Sequence, residues 1–303
     1  MVTQRPLLGI VLLILSTASL SALDANVKWV MAAGLPLFVM CWARYVIHWL
    51  LMAALLLPTQ GKAVFKAYQP RYQLLRGLIM LLATLSFFSA LRYLPQAEAT
   101  AINFLSPLIV LTIAPWLLKE PTRLSRWVAA IVGFMGVLLI VRPSAGLHPI
   151  GVAFGLLTAV LFASQYIVTR RLASENAFTT LMWSGSFGTL ALSLSMPVFL
   201  PESLPILAGF NGAHWLAIFA SGLFGALGHL LQIQAYQRAS ASLLAPFVYS
   251  QIVSAAALGW LVWGQFPDGT SWLGIAIVCS SGLVIAIKEW AQQKRAKTAA
   301  SLG

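Results

Sequence analysis

The residues best placed to do chemistry are ionisable or strongly polar groups inside long apolar runs. Arg44 stands nine residues into a run that begins near residue 35, about 13 Å deep at 1.5 Å per residue. His48 follows one turn later on the same helical face. Arg cannot shed its charge to escape burial. It is therefore either an interhelical hydrogen-bond anchor or a cavity group that holds an anion by a bidentate contact. His229, Gln232 and Tyr236 share one stripe further along, with Gly225 above them. That stripe reads as a polar seam between helices or as the lining of a pathway. An imidazole there can hold a solute or carry a proton. Gln251, with Ser250 and Ser254, and Trp183, with Ser186 and Thr189, add candidate contacts, as do Asn103 and Gln165. Asp24 either pairs with Lys28 at i+4 or neutralises Arg44 from the neighbouring helix. Glu98 either complements a helix N-terminus or serves as a coupling carboxylate.

Covalent and metal chemistry find no support. There is no H-E-x-x-H, no G-x-S-x-G and no Walker sequence. Cys41 and Cys279 lie in separate apolar runs and read as packing residues. An intramembrane enzyme would need a nucleophile with its base or a metal cluster, and none is legible. No metal and no cofactor is expected.

The elements that must position these groups are membrane helices. Of 303 residues, 60% are hydrophobic and 9% charged, where a soluble domain carries about a quarter charged. Mean hydropathy is +0.87. About 20 apolar residues cross the hydrocarbon, and ten segments qualify: 7–28, 35–57, 72–92, 96–118, 127–142, 149–169, 177–200, 213–237, 241–263 and 271–288. Pro and Gly clusters punctuate the connections. The apolar stretch after Arg5 reads as a first membrane helix, because more spans follow instead of a soluble domain.

The net charge of +12 follows from the positive-inside rule rather than from nucleic-acid binding. With a cytoplasmic N-terminus and an even number of spans, fifteen Lys and Arg fall on the cytoplasmic side, Arg76 counted among them. Lys28, Arg92 and Arg142 alone fall outside. Both termini are expected in the cytoplasm, with the basic tail 291–303 lying against anionic lipid. Reporter fusions at Gly61, Ser125, Glu202 and Asp268 should read in, in, out and out. An outward reading at Ser125 would overturn this topology.

The chain also repeats itself. At an offset of 145 residues Gly77 falls on Gly222, Ala90 on Ala235 and Trp127 on Trp272. Each copy then holds five helices, and an odd number inserts the second copy upside down. The loop Lys119–Arg126 carries three positive charges, and its mate Gly264–Ser271 carries none. The expected fold is all-α and integral to the membrane, with ten helices in two inverted repeats, 1–145 and 146–290.

The sequence resembles the drug/metabolite transporter superfamily, in its ten-helix EamA-type branch. The resemblance rests on Arg44, on A-L-R-Y-L-P-Q-A-E-A-T-A-I from Ala90, on F-L-S-P-L from Phe104, and on Lys119-Glu120-Pro121 followed by Gly133 and Gly136. In the second half it rests on S-L-L-A-P from Ser242 and W-G-Q from Trp263. One departure is that Glu120 is matched by Gln265, where the family often has Glu in both copies. The resemblance implies a secondary transporter of small organic metabolites in a bacterial inner membrane, and it favours export. A facilitative uptake permease for a vitamin, amino acid or nucleobase-like solute is the alternative. An intramembrane enzyme is a remote third. The expected partners are a small-molecule substrate and the lipid bilayer, with no nucleic acid, in a monomer or homodimer. Arg44, His48, His229, Gln232 and Tyr236 are expected to face one central cavity, joined by Trp183 and Gln251.

Overall fold

The computed structural model describes residues 5–90, 92–94, 96–120, 122–142, 146–264 and 268–302; for 96–98, 263 and 293–302 it describes the backbone alone. Among the described residues, nine helices are long and apolar enough to cross a membrane, or ten with one bent pair. They are α1 (Pro6–Ala32), α2 (Leu37–Gln60), α3 (Pro70–Ala90), the pair α4 (Gln96–Asn103) and α5 (Ser106–Leu117), and α6 (Leu124–Val141). Next come α7 (Pro149–Arg171), the bent pair α8 (Ala177–Ser193) and α9 (Met196–Ala208), and α10 (Gly212–Arg238). The last are the short α11 (Ala241–Leu244), α12 (Ser250–Trp263) and α13 (Gly269–Leu302).

Three spans are broken, and proline explains each break. A proline ring clashes with the carbonyl four residues earlier and donates no N–H. Pro107 therefore ends α4 and starts α5 afresh. Pro246 gives a tight 3-10 segment, Ala245–Tyr249, between α11 and α12. Pro197 opens α9, which turns 83° away from α8. The apolar segment 177–200 is thus two helices with a bend between them.

The packing pairs exchange when the halves are exchanged. α1 packs along α10 and α3 along α7; α2 meets α10 and α8 meets α3; α1 meets α12 and α7 meets α5. α6 with α13, and α2 with α8, pair across the halves. Without a hydrophobic force between helices in lipid, small residues and hydroxyls make these contacts. Ser16 and Ser19 on α1 donate to the carbonyls of Gly228 (2.7 Å) and Phe224 (2.9 Å) on α10. Ser86 on α3 donates to Phe154 on α7 at 3.0 Å. A Cβ on Gly136 of α6 would lie 2.8 Å from the carbonyl of Gly274 on α13, so these two helices touch backbone to backbone.

Two ion pairs clip α6 to α13, one at each end. Arg126 meets Glu289 at 3.2 Å. At the other end Arg142 donates to both carboxylate oxygens of Asp268, at 2.6 and 2.7 Å. That guanidinium, with the Ser271 N–H at 2.9 Å, holds the Asp268 carboxyl down at about 2. A depressed carboxylate stabilises above its unfolded value and loses the effect as pH falls through its folded one. The pair is half exposed, at 48% and 56%, so water screens it and the effect is small. The melting-temperature difference between wild type and Asp268→Asn should therefore be flat from about pH 5 to 8 and shrink only below about pH 4. A difference that varies between pH 5 and 8 would contradict this.

Candidate functional site

A cavity of about 430 Å³ lies between the two halves. It runs from Lys28 on α1, Val141 on α6 and Gly259 on α12 to a floor of Gln165, Tyr166, His229 and Gln232. Its mouth is the end that the charge count assigns to the exterior. Phe87, Phe104 and Phe162 supply apolar wall. A small number of polar groups converging in an apolar cleft is the usual form of a small-molecule site.

Arg44 lines this cavity and is 8% exposed. Its guanidinium lies 4.8 Å from the centroid of the Tyr45 ring. Its one side-chain hydrogen bond among the described residues is a long one, 3.5 Å to Thr84 on α3. Asp24 lines the same cavity and accepts a bond from Gln251 Nε2 at 3.2 Å. α1, α2 and α12 thus bring two cations, Lys28 and Arg44, one carboxylate and one amide to a shared space. On the floor, Gln165 Nε2 donates to Gln232 Oε1 at 3.5 Å. The His48 ring lies behind His229, with centroids 6.5 Å apart.

Of the groups singled out in the sequence, Asp24, Arg44, Asn103, Gln165, His229, Gln232 and Gln251 line the cavity, and His48 backs it. Tyr236 and Trp183, both expected to face it, sit elsewhere. Tyr236 follows His229 by seven residues on the same face, about 10 Å deeper at helical rise. It is fully buried beneath the floor, stacked on Tyr166 at 5.6 Å. Trp183 donates to the Phe65 carbonyl at 2.9 Å, away from the cavity. Trp183 stands only six residues from the start of α8, and its partner Phe65 lies in the connection after α2, at the end of the bundle opposite the mouth. The Glu98 side chain lies outside the described residues.

Thr84, Met80 and Phe87 on α3 also line the cavity and were not singled out by sequence. A single hydroxyl in an apolar helix is common packing, so it carries little signal. Arg76 was placed with the cytoplasmic loop charges, but it is buried within α3. It donates to Thr169 Oγ1 at 2.9 Å and to Ser184, tying α3 to α7 and α8. It stands six residues past Pro70, nearly two helical turns, which is enough to draw it inside the bundle. Among the described residues no group of three or more His, Cys, Asp or Glu is placed to hold a metal ion.

The model of the EamA-like transporter family matches this chain twice, at residues 7–142 and 149–287. A protein named S-adenosylmethionine uptake transporter from Rickettsia felis is 26% identical over 93% of this chain and 94% of its own. A protein named riboflavin transporter from Vibrio cholerae is 29% identical over 86% of each. An uncharacterized transporter of Helicobacter pylori is 31% identical over 68% of this chain and 70% of its own. A crystal structure superposes with a TM-score of 0.75 over 94% of this chain and 98% of that one, at 21% identity. That likeness carries the fold.

Proposed function

Because the chain belongs to the EamA-like transporter family, we propose that it is a secondary transporter that moves a small organic metabolite across a bacterial inner membrane by alternating access. The observation that supports this best is the cavity between the halves, closed at one end and lined by a buried Arg44. Inverted repeats place substrate sites near the midplane at the interface of their halves. The double family match and the exchanging helix pairs support that plan. Both termini then lie in the cytoplasm.

In this reading Arg44 holds an anionic group of the substrate, such as a carboxylate. Gln232, Gln251 and His229 orient the rest, with His48 supporting His229 from behind. Asp24 and Glu98 are the candidate coupling carboxylates. A carrier follows the gradients it is given, since a ligand only shifts populations by differential binding. Export is the direction the family resemblance implies. Uptake is a second reading, and two Rickettsia relatives are named as uptake transporters. Proteoliposomes loaded with a panel of carboxylated metabolites, their amides and flavins would decide. Saturable flux of one class, driven both ways by imposed gradients, is the expected result. Non-saturating flux, or none for any class in well-folded protein, would remove the proposal.

A further inference from the structure

At the end of the bundle opposite the cavity mouth, one carboxylate joins several elements at once. Glu120 follows α5, and its Oε1 accepts from Arg170 Nε at 2.6 Å. Its Oε2 accepts the backbone N–H of Ala241 at 2.9 Å. Arg170 also donates through Nη1 to the Tyr236 carbonyl at 2.8 Å. Glu120 therefore ties the end of α5 to the end of α7, the end of α10 and the start of α11. The side chains of the pair are only 14% and 13% exposed, so removing one partner strands the other in a poorly hydrated place. The residue before it, Lys119, has φ of 54°. A side chain rarely adopts that conformation, and it turns the chain sharply as it leaves α5. Above the clasp, the stacked Tyr166 and Tyr236 separate it from the cavity.

The second copy lacks this carboxylate. At the 145-residue register Gln265 stands where Glu120 does, and a neutral amide offers a guanidinium or ammonium no charge. A two-state element is biased by whatever contact exists in one state and is missing from the other.

We propose that Glu120 is the gating residue of the cytoplasmic side: its clasp on Arg170 and Ala241 locks that side, and the missing acid in the second copy leaves the carrier resting with its cavity facing outward. This inference rests on the alternating-access reading, and its labelling test needs no substrate. In a Cys41→Ala, Cys279→Ala background, Ala241→Cys puts a thiol behind the clasp, at a position with no exposure. Ala256→Cys puts one in the cavity wall. Membrane vesicles of both orientations are treated with the impermeant reagent 2-sulfonatoethyl methanethiosulfonate. Glu120→Gln should raise labelling at position 241 from the cytoplasmic side about tenfold and lower labelling at 256 from outside. Arg170→Gln should do the same. Glu120→Asp, which keeps the charge on a shorter stem, should give a smaller shift, and it carries the test if Glu120→Gln fails to fold. Unchanged rates at both positions would overturn the proposal. A rise at both positions at once would also overturn it, since that is loosening and not exchange. If the parent protein shows no saturable flux, the alternating-access reading fails. Unchanged labelling in a protein that does transport removes the clasp alone.

Discussion

Replacing Arg44 by Gln is expected to reduce transport about 100-fold or more, with membrane insertion and yield close to wild type. Hydrogen bonds to a charged group are worth about 1.5–3 kcal/mol, and a bidentate contact sits at the upper end. Near 3 kcal/mol corresponds to about 100-fold in affinity. The fold loses little in comparison. The Thr84 bond is long, at 3.5 Å, and none of the three described ion pairs involves Arg44. The aliphatic stem also lies against Gly225, with Cγ 3.9 Å from where a Cβ would be, and a Gln stem fills part of that space. Arg44→Lys keeps the charge but not the fork, so it should fall between the two. Substrate binding and flux, measured beside a size-exclusion profile, check this. Full transport by Arg44→Gln would take the anion anchor away.

The second large effect is on folding. A Cβ on Gly188 of α8 would lie 2.3 Å from Cε1 of Tyr45 on α2, far inside van der Waals contact. The ring has nowhere to swing, since Tyr45 is 1% exposed and packed among Cys41, Met80, Leu81 and Leu192. Gly188→Ala should therefore push α2 and α8 apart at a cost of about 1–3 kcal/mol. Gly222→Ala on α10 meets Ile47 at 2.4 Å and should behave alike. The cause can be isolated with a double-mutant cycle. In a Tyr45→Ala background the ring is gone, and Gly188→Ala should then be nearly neutral by thermal unfolding in detergent. An equal cost in both backgrounds would show that the contact is not responsible.

What could be read from the chain follows from which forces act locally. Hydropathy and proline positions are local, so the number of spans and most of their limits were legible in sequence. The breaks at Pro107 and Pro246 coincide with the motifs F-L-S-P-L and S-L-L-A-P, although the motifs alone did not say that the helices would kink there. The 83° bend after Ser193 was not legible, because Pro197 lay inside the apolar segment 177–200, while Pro201 and Pro205 read as its end and not as part of a second helix. In the site, the expensive groups Arg44 and Asp24 announce themselves, since lipid penalises them wherever they stand. Depth is harder to read. Tyr236 lies on the right face but one level too deep, and Arg76 near a helix end turns inward instead of out. Thr84 needs a neighbour on another helix before it means anything.

The unequal lengths of the helices carry a consequence for the bilayer itself. α1 and α10 have 27 residues each, about 40 Å at helical rise, against about 30 Å of hydrocarbon. α6 has 18, about 27 Å. The long central pair can keep its ends out of lipid by leaning, while α6 at the rim stands near upright or draws the membrane thinner around it. Acyl-chain length then acts on the angle of the α1–α10 pair, and that pair walls the cavity. On the alternating-access proposal, the thickness of the host membrane would then be a setting of the carrier, adjustable by lipid supply with no change in a single residue.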